Sequence, residues 1–265
     1  MWSLAGAGRR TSTRWTFLNV VAIAWLNISF YILFLLFSAI AIPLLSLAGL
    51  LCWTVAPMRI VMRGFRRAIS LYGWIVHVLP YPLIRIDYVD TEPTTNRGPL
   101  IFVCNHRSSS DPFLLWCLPF EFVQVAKDWP FRLPVLGRYA RWAGYLSVTE
   151  MPFEEFSRRA SRLIANDVCL VGFPEGTRSG SPRMGNFHSA LFRVAMETRC
   201  AIVPVCISGT EHVPRRGSLL LRPTVIRIRK LAAILPTEFS DMNAFQLKNR
   251  VRSAMVDPLA QLDAR

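Results

Sequence analysis

A histidine and an aspartate stand five positions apart in FVCNHRSSSDPF, residues 102–113. A carboxylate that holds one imidazole nitrogen fixes the ring and leaves the other nitrogen free to accept a proton, the arrangement of a general base. Within one helix, five positions are about 500° of turn, roughly 140° off a common face, so His106 and Asp111 could not meet there. The neighbouring residues supply a better geometry. LIFVCN, 100–105, reads as a buried strand, and Asp111-Pro112 reads as a helix start with Asp at the N-cap and Pro at N1. A tight loop between them can fold Asp111 back beside His106, so Asp111 is expected both to cap the helix and to orient the ring. Taken alone, the pair has a plainer reading as a strand-end histidine beside a capped helix.

A second stretch follows an apolar strand directly. GFPEGTRS, 172–179, sets an acid, a hydroxyl and an arginine around Gly176. A glycine-centred turn that presents Arg178 and backbone N–H groups could cradle a phosphate; Glu175 and Arg178 could equally pair across it. A third strand end, IVPVCISGTE, 202–211, converges on the same region. Sites in open α/β sheets form beyond the carboxyl ends of the strands.

The elements that must position these residues alternate along the chain. Strands are expected at 81–89, 100–105, 120–127, in YLSVT, at 168–173, 201–208 and 224–234, the last as a late edge strand. Helices are expected in PFLLWCL, toward the end of WPFRLPVLGRYARWAG, after Pro152, through FHSALFRVAMET, and in the closing NAFQLKNRVRSAMVDPLAQL. This order predicts an α/β fold with a largely parallel sheet flanked by helices. The stretch DTEPTTNRGP is a turn-rich link between the first two strands.

The amino-terminal part differs. From Trp15 to Met58 there is no Asp, Glu, Lys, Arg or His, more than the roughly 20 apolar residues that span a bilayer. The expectation is a membrane-embedded segment over 1–57, as one tilted or kinked helix or as a hairpin turned near Pro43 and Gly49. Arginines 9, 10 and 14 before it and 59, 63, 66 and 67 after it favour both ends on the cytoplasmic side, and hence the hairpin. Arg59, Arg63, Arg66 and Arg67 share a helical face, so residues 58–80 are expected as an amphipathic helix at an anionic membrane surface. The α/β domain would occupy 81–265.

The balance of 31 Lys+Arg against 17 Asp+Glu, a net +14, favours an anionic partner without choosing among nucleic acid, membrane and phosphorylated substrate. All cations but Lys127, Lys230 and Lys248 are arginines. Six cysteines lie mostly in apolar stretches without metal-ligand spacing, which suggests a reducing compartment. No G-x-S-x-G elbow marks a serine hydrolase. His77, His188 and His212 are too scattered to complete a metal site with His106 and Asp111.

NHRSSSD, FPEGTRS and IVPV, in this order, resemble the glycerolipid acyltransferases of the 1-acylglycerol-3-phosphate O-acyltransferase type. AKDWPFRLPVLGRYARWAGYLSV resembles the segment between their first two motifs, and the likeness covers roughly residues 99–211. The membrane-embedded amino terminus suits the same family. The resemblance implies transfer of a fatty acyl group from acyl-CoA or acyl-carrier protein to the free hydroxyl of a lysophospholipid in phospholipid biosynthesis. It implies His106 as base, Asp111 as its orienter, and Glu175, Gly176, Thr177 and Arg178, with Lys127, as contacts to the acceptor. It implies no metal or other cofactor, with membrane lipids and the acyl donor, not nucleic acid, as partners. The expected setting is a membrane, with the active site facing the cytoplasm and a bacterial inner membrane as the host. Two positions depart from the family: Glu150 stands where an arginine often helps to hold phosphate, and His188 where a lysine is usual. They leave open acylation of another lysolipid, or a non-catalytic protein that binds anionic lipid.

Overall fold

The computed structural model describes residues 8–91, 98–215 and 217–265, with side chains of the first helix from residue 19 onward. Most of the link DTEPTTNRGP, and the side chains of Arg9, Arg10 and Arg14, lie outside the described residues.

Seven strands form one sheet: β1 Ile84–Asp90, β2 Ile101–Cys104, β3 Phe122–Ala126, β4 Leu146–Ser147, β5 Cys169–Gly172, β6 Ile202–Ser208 and β7 Thr224–Lys230, ordered β1-β7-β6-β2-β5-β3-β4. β2 through β6 run parallel. β7 is antiparallel to β6 and parallel to β1. The 224–234 segment is thus an internal strand of seven residues, not the edge strand expected; the edges are β1 and β4. Its Ile226, Ile228 and Lys230 are buried in alternation, so one of its two faces is the better covered. β2, β5 and β6 are buried at every residue, which is why they read as unbroken apolar runs.

On one face of the sheet, α6 (Phe153–Ile164), α7 (Ala190–Thr198) and α8 (Ala244–Asp263) pack Phe156, Phe192, Val251 and Met255 against Ile101, Val123 and Leu170. α6 begins directly after Pro152, with Glu154 and Glu155 at its positive end. Asn243 caps α8 in a reciprocal box with Gln246. The shorter α3 (Asp111–Leu114), α4 (Trp129–Arg132) and α5 (Leu136–Trp142) carry the loops around the strand ends.

α1 runs from Gly8 to Val55 as one helix through Pro43. The apolar run is therefore not turned into a hairpin on itself; the chain reverses only at Ala56–Pro57, into α2 (Met58–Val78). Gly49 lets these helices close without moving Phe65, since a Cβ there would lie 2.3 Å from the tip of its ring. Leu26 of α1 is fully buried in the cluster on the sheet's other face, with Phe102 and Val203, a burial that stabilises by about 1.5–3 kcal/mol. Asn27 brackets Leu221, donating to its carbonyl at 2.9 Å and accepting from its amide at 2.8 Å. Further along, Ser38 bonds Tyr72 and Ser46 bonds Tyr139. From Asn27 to Ser46 is about 28 Å of helix, so α1 lies along the domain. Trp25, Leu35, Ile40, Leu44 and Leu50 remain exposed. Residues 19–55 are long and apolar enough to cross a bilayer, which points to membrane association.

The arginine face of α2 is narrower than expected. Arg66 is buried, bonded to Glu121 at 2.6 Å and to the Ala143 carbonyl at 2.8 Å, which leaves Arg59, Arg63 and Arg67 exposed. Burial would push the Glu121 carboxyl up, but the hydrogen bonds from Arg63 and Arg66 outweigh it and hold the group below its ordinary value.

Candidate active site

The parallel central strands bring the carboxyl ends of β2, β5 and β6 together at one end of the sheet. Asn105 ties the first of these to the third, donating to the Ile207 carbonyl at 2.8 Å and accepting from its amide at 2.7 Å. His106 follows. Its Nδ1 lies 2.8 Å from Asp111 Oδ2, and the same oxygen accepts from the amides of Arg107 at 2.6 Å and Ser108 at 2.8 Å. Three loop donors thus gather on one oxygen of a side chain with 0% exposure. This corrects the expected helix cap. Asp111 is itself the first residue of α3, with Pro112 after it, and Ser110 occupies the cap position without a side-chain bond. Pro112 offers no N–H, and the Phe113 amide already donates to the Ser110 carbonyl at 2.9 Å, so the carboxylate turns back to the loop. Asp111 orients; it does not cap.

The His106 side chain keeps 14% exposure. It lies beside the Phe173 ring, centroids 4.6 Å apart, and lines a cavity of about 540 Å³. With Nδ1 bound to Asp111, Nε2 is the nitrogen available to a ligand there. The walls are mostly apolar, with Phe131, Tyr145, Val148 and Leu191 among them. Lys127, Gly176 and His188 also line it and converge. A Cβ on Gly176 would lie 2.9 Å from His188 Cδ2 and 3.0 Å from Lys127 Cε, and its φ of +67° suits only glycine without strain. The Lys127 ammonium thus stands with the His188 ring beside a mostly apolar hollow.

The 172–179 turn is built differently from a simple cradle. Glu175 is buried, and its two oxygens accept from the His106 amide at 2.8 Å and the Gly185 amide at 2.7 Å. Burial pushes this carboxyl above its ordinary value, against the pull of those two amides. The Gly176 amide is taken up by the Phe173 carbonyl and the Ser179 amide by the His106 carbonyl. Glu175 thus braces the His106 loop from behind. Thr177 and Arg178 belong to the same turn, but neither lines the cavity. Glu150 does not line it either; Arg141 grips its carboxylate with two bonds, at 3.0 and 3.2 Å.

A second, more apolar hollow of about 480 Å³ opens between α1, α2 and the domain. Ile69, Ser109, Phe113 and Leu136 line both hollows, so the His106 cavity adjoins the face that carries the apolar helix. Among the described residues, no three His, Cys, Asp or Glu side chains gather as a metal site. All six cysteines are free, with Cys52 exposed and Cys104, Cys169, Cys200 and Cys206 buried.

Sequence reasoning missed the contributions of Asn105 and Arg107, which hold the loop. Arg107 entered only through the net charge, and no spacing marks it as buried.

A family model described as "Acyltransferase" matches residues 85–208, which contain His106, Asp111, Lys127 and the 175–178 turn. A 1-acyl-sn-glycerol-3-phosphate acyltransferase of Limnanthes alba is 31% identical over 172 residues, 62% of this chain and 60% of that protein. One of Cocos nucifera is 28% identical over 166 residues, 61% of this chain and 54% of that protein. The matched part thus spans little more than half the length of these relatives. Among solved structures, the 1-acyl-sn-glycerophosphate (LPA) acyltransferase PlsC from Thermotoga maritima aligns with a TM-score of 0.73 at 20% identity, over 94% of this chain and 98% of that one. That likeness is one of fold.

Proposed function

We propose that this chain, whose residues 85–208 match the acyltransferase model, moves a fatty acyl group from acyl-CoA or acyl-carrier protein to the free hydroxyl of 1-acylglycerol-3-phosphate. The observation that carries this reading is the 2.8 Å bond between His106 Nδ1 and the Asp111 carboxylate, with His106 lining a mostly apolar cavity. His106 Nε2 takes the hydroxyl proton as the acceptor oxygen attacks the thioester carbonyl. Asp111 stabilises the imidazolium that results. Collapse of the tetrahedral intermediate breaks the C–S bond, and the imidazolium returns its proton to the departing sulfur. The products are a diacyl phospholipid and a free thiol.

Lys127 and His188 are suited to the acceptor's phosphate, with Gly176 giving the close approach. Thr177 and Arg178 are assigned the glycerol-phosphate region beyond it. Glu175 acts through the loop rather than on the ligand. The enzyme works at a membrane, with α1 and α2 embedded from one side and the site opening to the cytoplasm of a bacterial cell. The exposed apolar face of α1 and the exposed Arg59, Arg63 and Arg67 support this placement.

The test is thiol release by purified protein with acyl-CoA or acyl-carrier protein against a panel of lysolipid acceptors. Release that needs 1-acylglycerol-3-phosphate supports the reading. Release without any acceptor indicates a thioester hydrolase, and preference for another lysolipid moves the assignment of the acceptor. Failure on every phosphate-bearing acceptor removes the phosphate role of Lys127, His188 and Arg178.

A further inference from the structure

Arg107 follows His106 directly, yet it does not line the cavity. Its side chain is 1% exposed and ends in a buried polar junction. Nη1 and Nη2 meet the two oxygens of Asp263, each at 2.6 Å, in a parallel fork. Nη2 also donates to the Pro182 carbonyl at 3.0 Å, and Nη1 reaches Ser208 Oγ and Glu211 Oε2, both at 3.4 Å. Ser208 Oγ in turn donates to Asp263 Oδ1 at 2.5 Å. Asp263 is the last residue of α8, Ser208 the last of β6, and Pro182 stands in the loop after the 172–179 turn. At its other end Arg107 donates its backbone amide to Asp111 Oδ2, the oxygen that holds His106.

An arginine cannot shed its charge, so once buried it needs a fixed partner, and a carboxylate fork fixes its orientation as well as its charge. We propose that Arg107 and Asp263 are positioning residues for the His106–Asp111 pair: the end of α8 holds the backbone of the base-bearing loop through the Arg107 side chain. The inference rests on the acyl-transfer reading and deepens it. Without Asp263 the guanidinium must find water, and the peptide group that donates to Asp111 moves with it. A displacement of about 1 Å at a catalytic pair can lower the rate by ~100-fold.

The double variant Arg107→Met/Asp263→Leu removes both charges and leaves no lone buried ion, while Asp263→Asn keeps the shape of the acid. As a control, Lys230→Met/Asp90→Asn removes another ion pair with a buried cation, 2.8 Å long, between β7 and β1. The expected result is a fall in kcat of roughly 10- to 100-fold with acceptor KM within about two-fold. Faster deuterium exchange at the amides of 106–111 should accompany it. Asp263→Glu should recover most of the activity. The control should leave both readouts unchanged even where it melts at a lower temperature. A folded Arg107→Met/Asp263→Leu or Asp263→Asn protein with unchanged kcat and unchanged amide protection overturns the proposal. If the parent chain transfers no acyl group, the acyl-transfer reading falls separately, and unchanged exchange at 106–111 still overturns the positioning role.

Discussion

His106 Nδ1 and Asp111 Oδ2 lie 2.8 Å apart across a loop that no helix could bridge. Asp111→Asn is expected to lower kcat by roughly 10²- to 10⁴-fold. An amide accepts less strongly from the ring and does not stabilise the imidazolium. The acceptor KM should change little, since Asp111 does not line the cavity. Steady-state kinetics of the folded variant checks this, and a pure KM effect would contradict it.

Glu175 serves two amides and the loop they hold. Glu175→Ala leaves the His106 and Gly185 amides without their acceptor, a loss of up to about 1–3 kcal/mol at the half-buried His106 amide and less at the exposed Gly185. The variant should melt at a lower temperature and lose kcat, with the acceptor KM close to that of the parent. A large rise in KM with stability unchanged would show that Glu175 touches the ligand after all.

Carboxylates of opposite shift give the stability a dependence on pH. Arg63 and Arg66 around Glu121, and Arg107 and Ser208 around Asp263, hold these groups below their ordinary values despite burial. They contribute stability above the unfolded carboxylate range, about 4, and that contribution is lost as the pH falls through their folded values. Glu175 is raised by burial, so its ionisation in the folded chain opposes stability as the pH climbs above that range. Urea unfolding between about pH 3 and 7 should therefore show a shallower acid-side loss in Glu121→Gln. Glu175→Gln should remove a decline on the other side.

The cavity behind His106 is expected to hold an acyl chain. Val148→Phe narrows it without touching His106 or Asp111. Competition between long- and short-chain donors should then shift toward the short ones. An unchanged preference would place the chain elsewhere.

Much of the fold was legible because its causes are local. Runs such as IFVC and IVPVCIS announce buried parallel strands, and Asn243 with Gln246 announces the last helix. β7 was misjudged as an edge because alternation reports which faces are buried, not how many neighbours a strand has. The reversal between β6 and β7 depends on long-range pairing. The apolar run left one kinked helix and a hairpin both open, and the arginines on its two flanks tipped the reading to the hairpin, with Pro43 and Gly49 marking where it could turn. α1 instead continues as one helix past Pro43 and packs along the domain through contacts such as Leu26 and Asn27. In the site, the meeting of His106 with Asp111 was readable from a strand end, a short loop and a helix start. The capping role given to Asp111 was wrong, since two upstream amides and the His106 ring nitrogen compete for its oxygen. Arg107 was not readable at all; its meaning depends on Asp263, 156 positions along the chain.

The most direct test compares the parent chain with His106→Ala in acceptor-dependent thiol release from acyl-CoA and 1-acylglycerol-3-phosphate. The account predicts release and diacyl product for the parent, and a loss of at least about 100-fold in the variant with its fold intact. Full transfer by His106→Ala would contradict it.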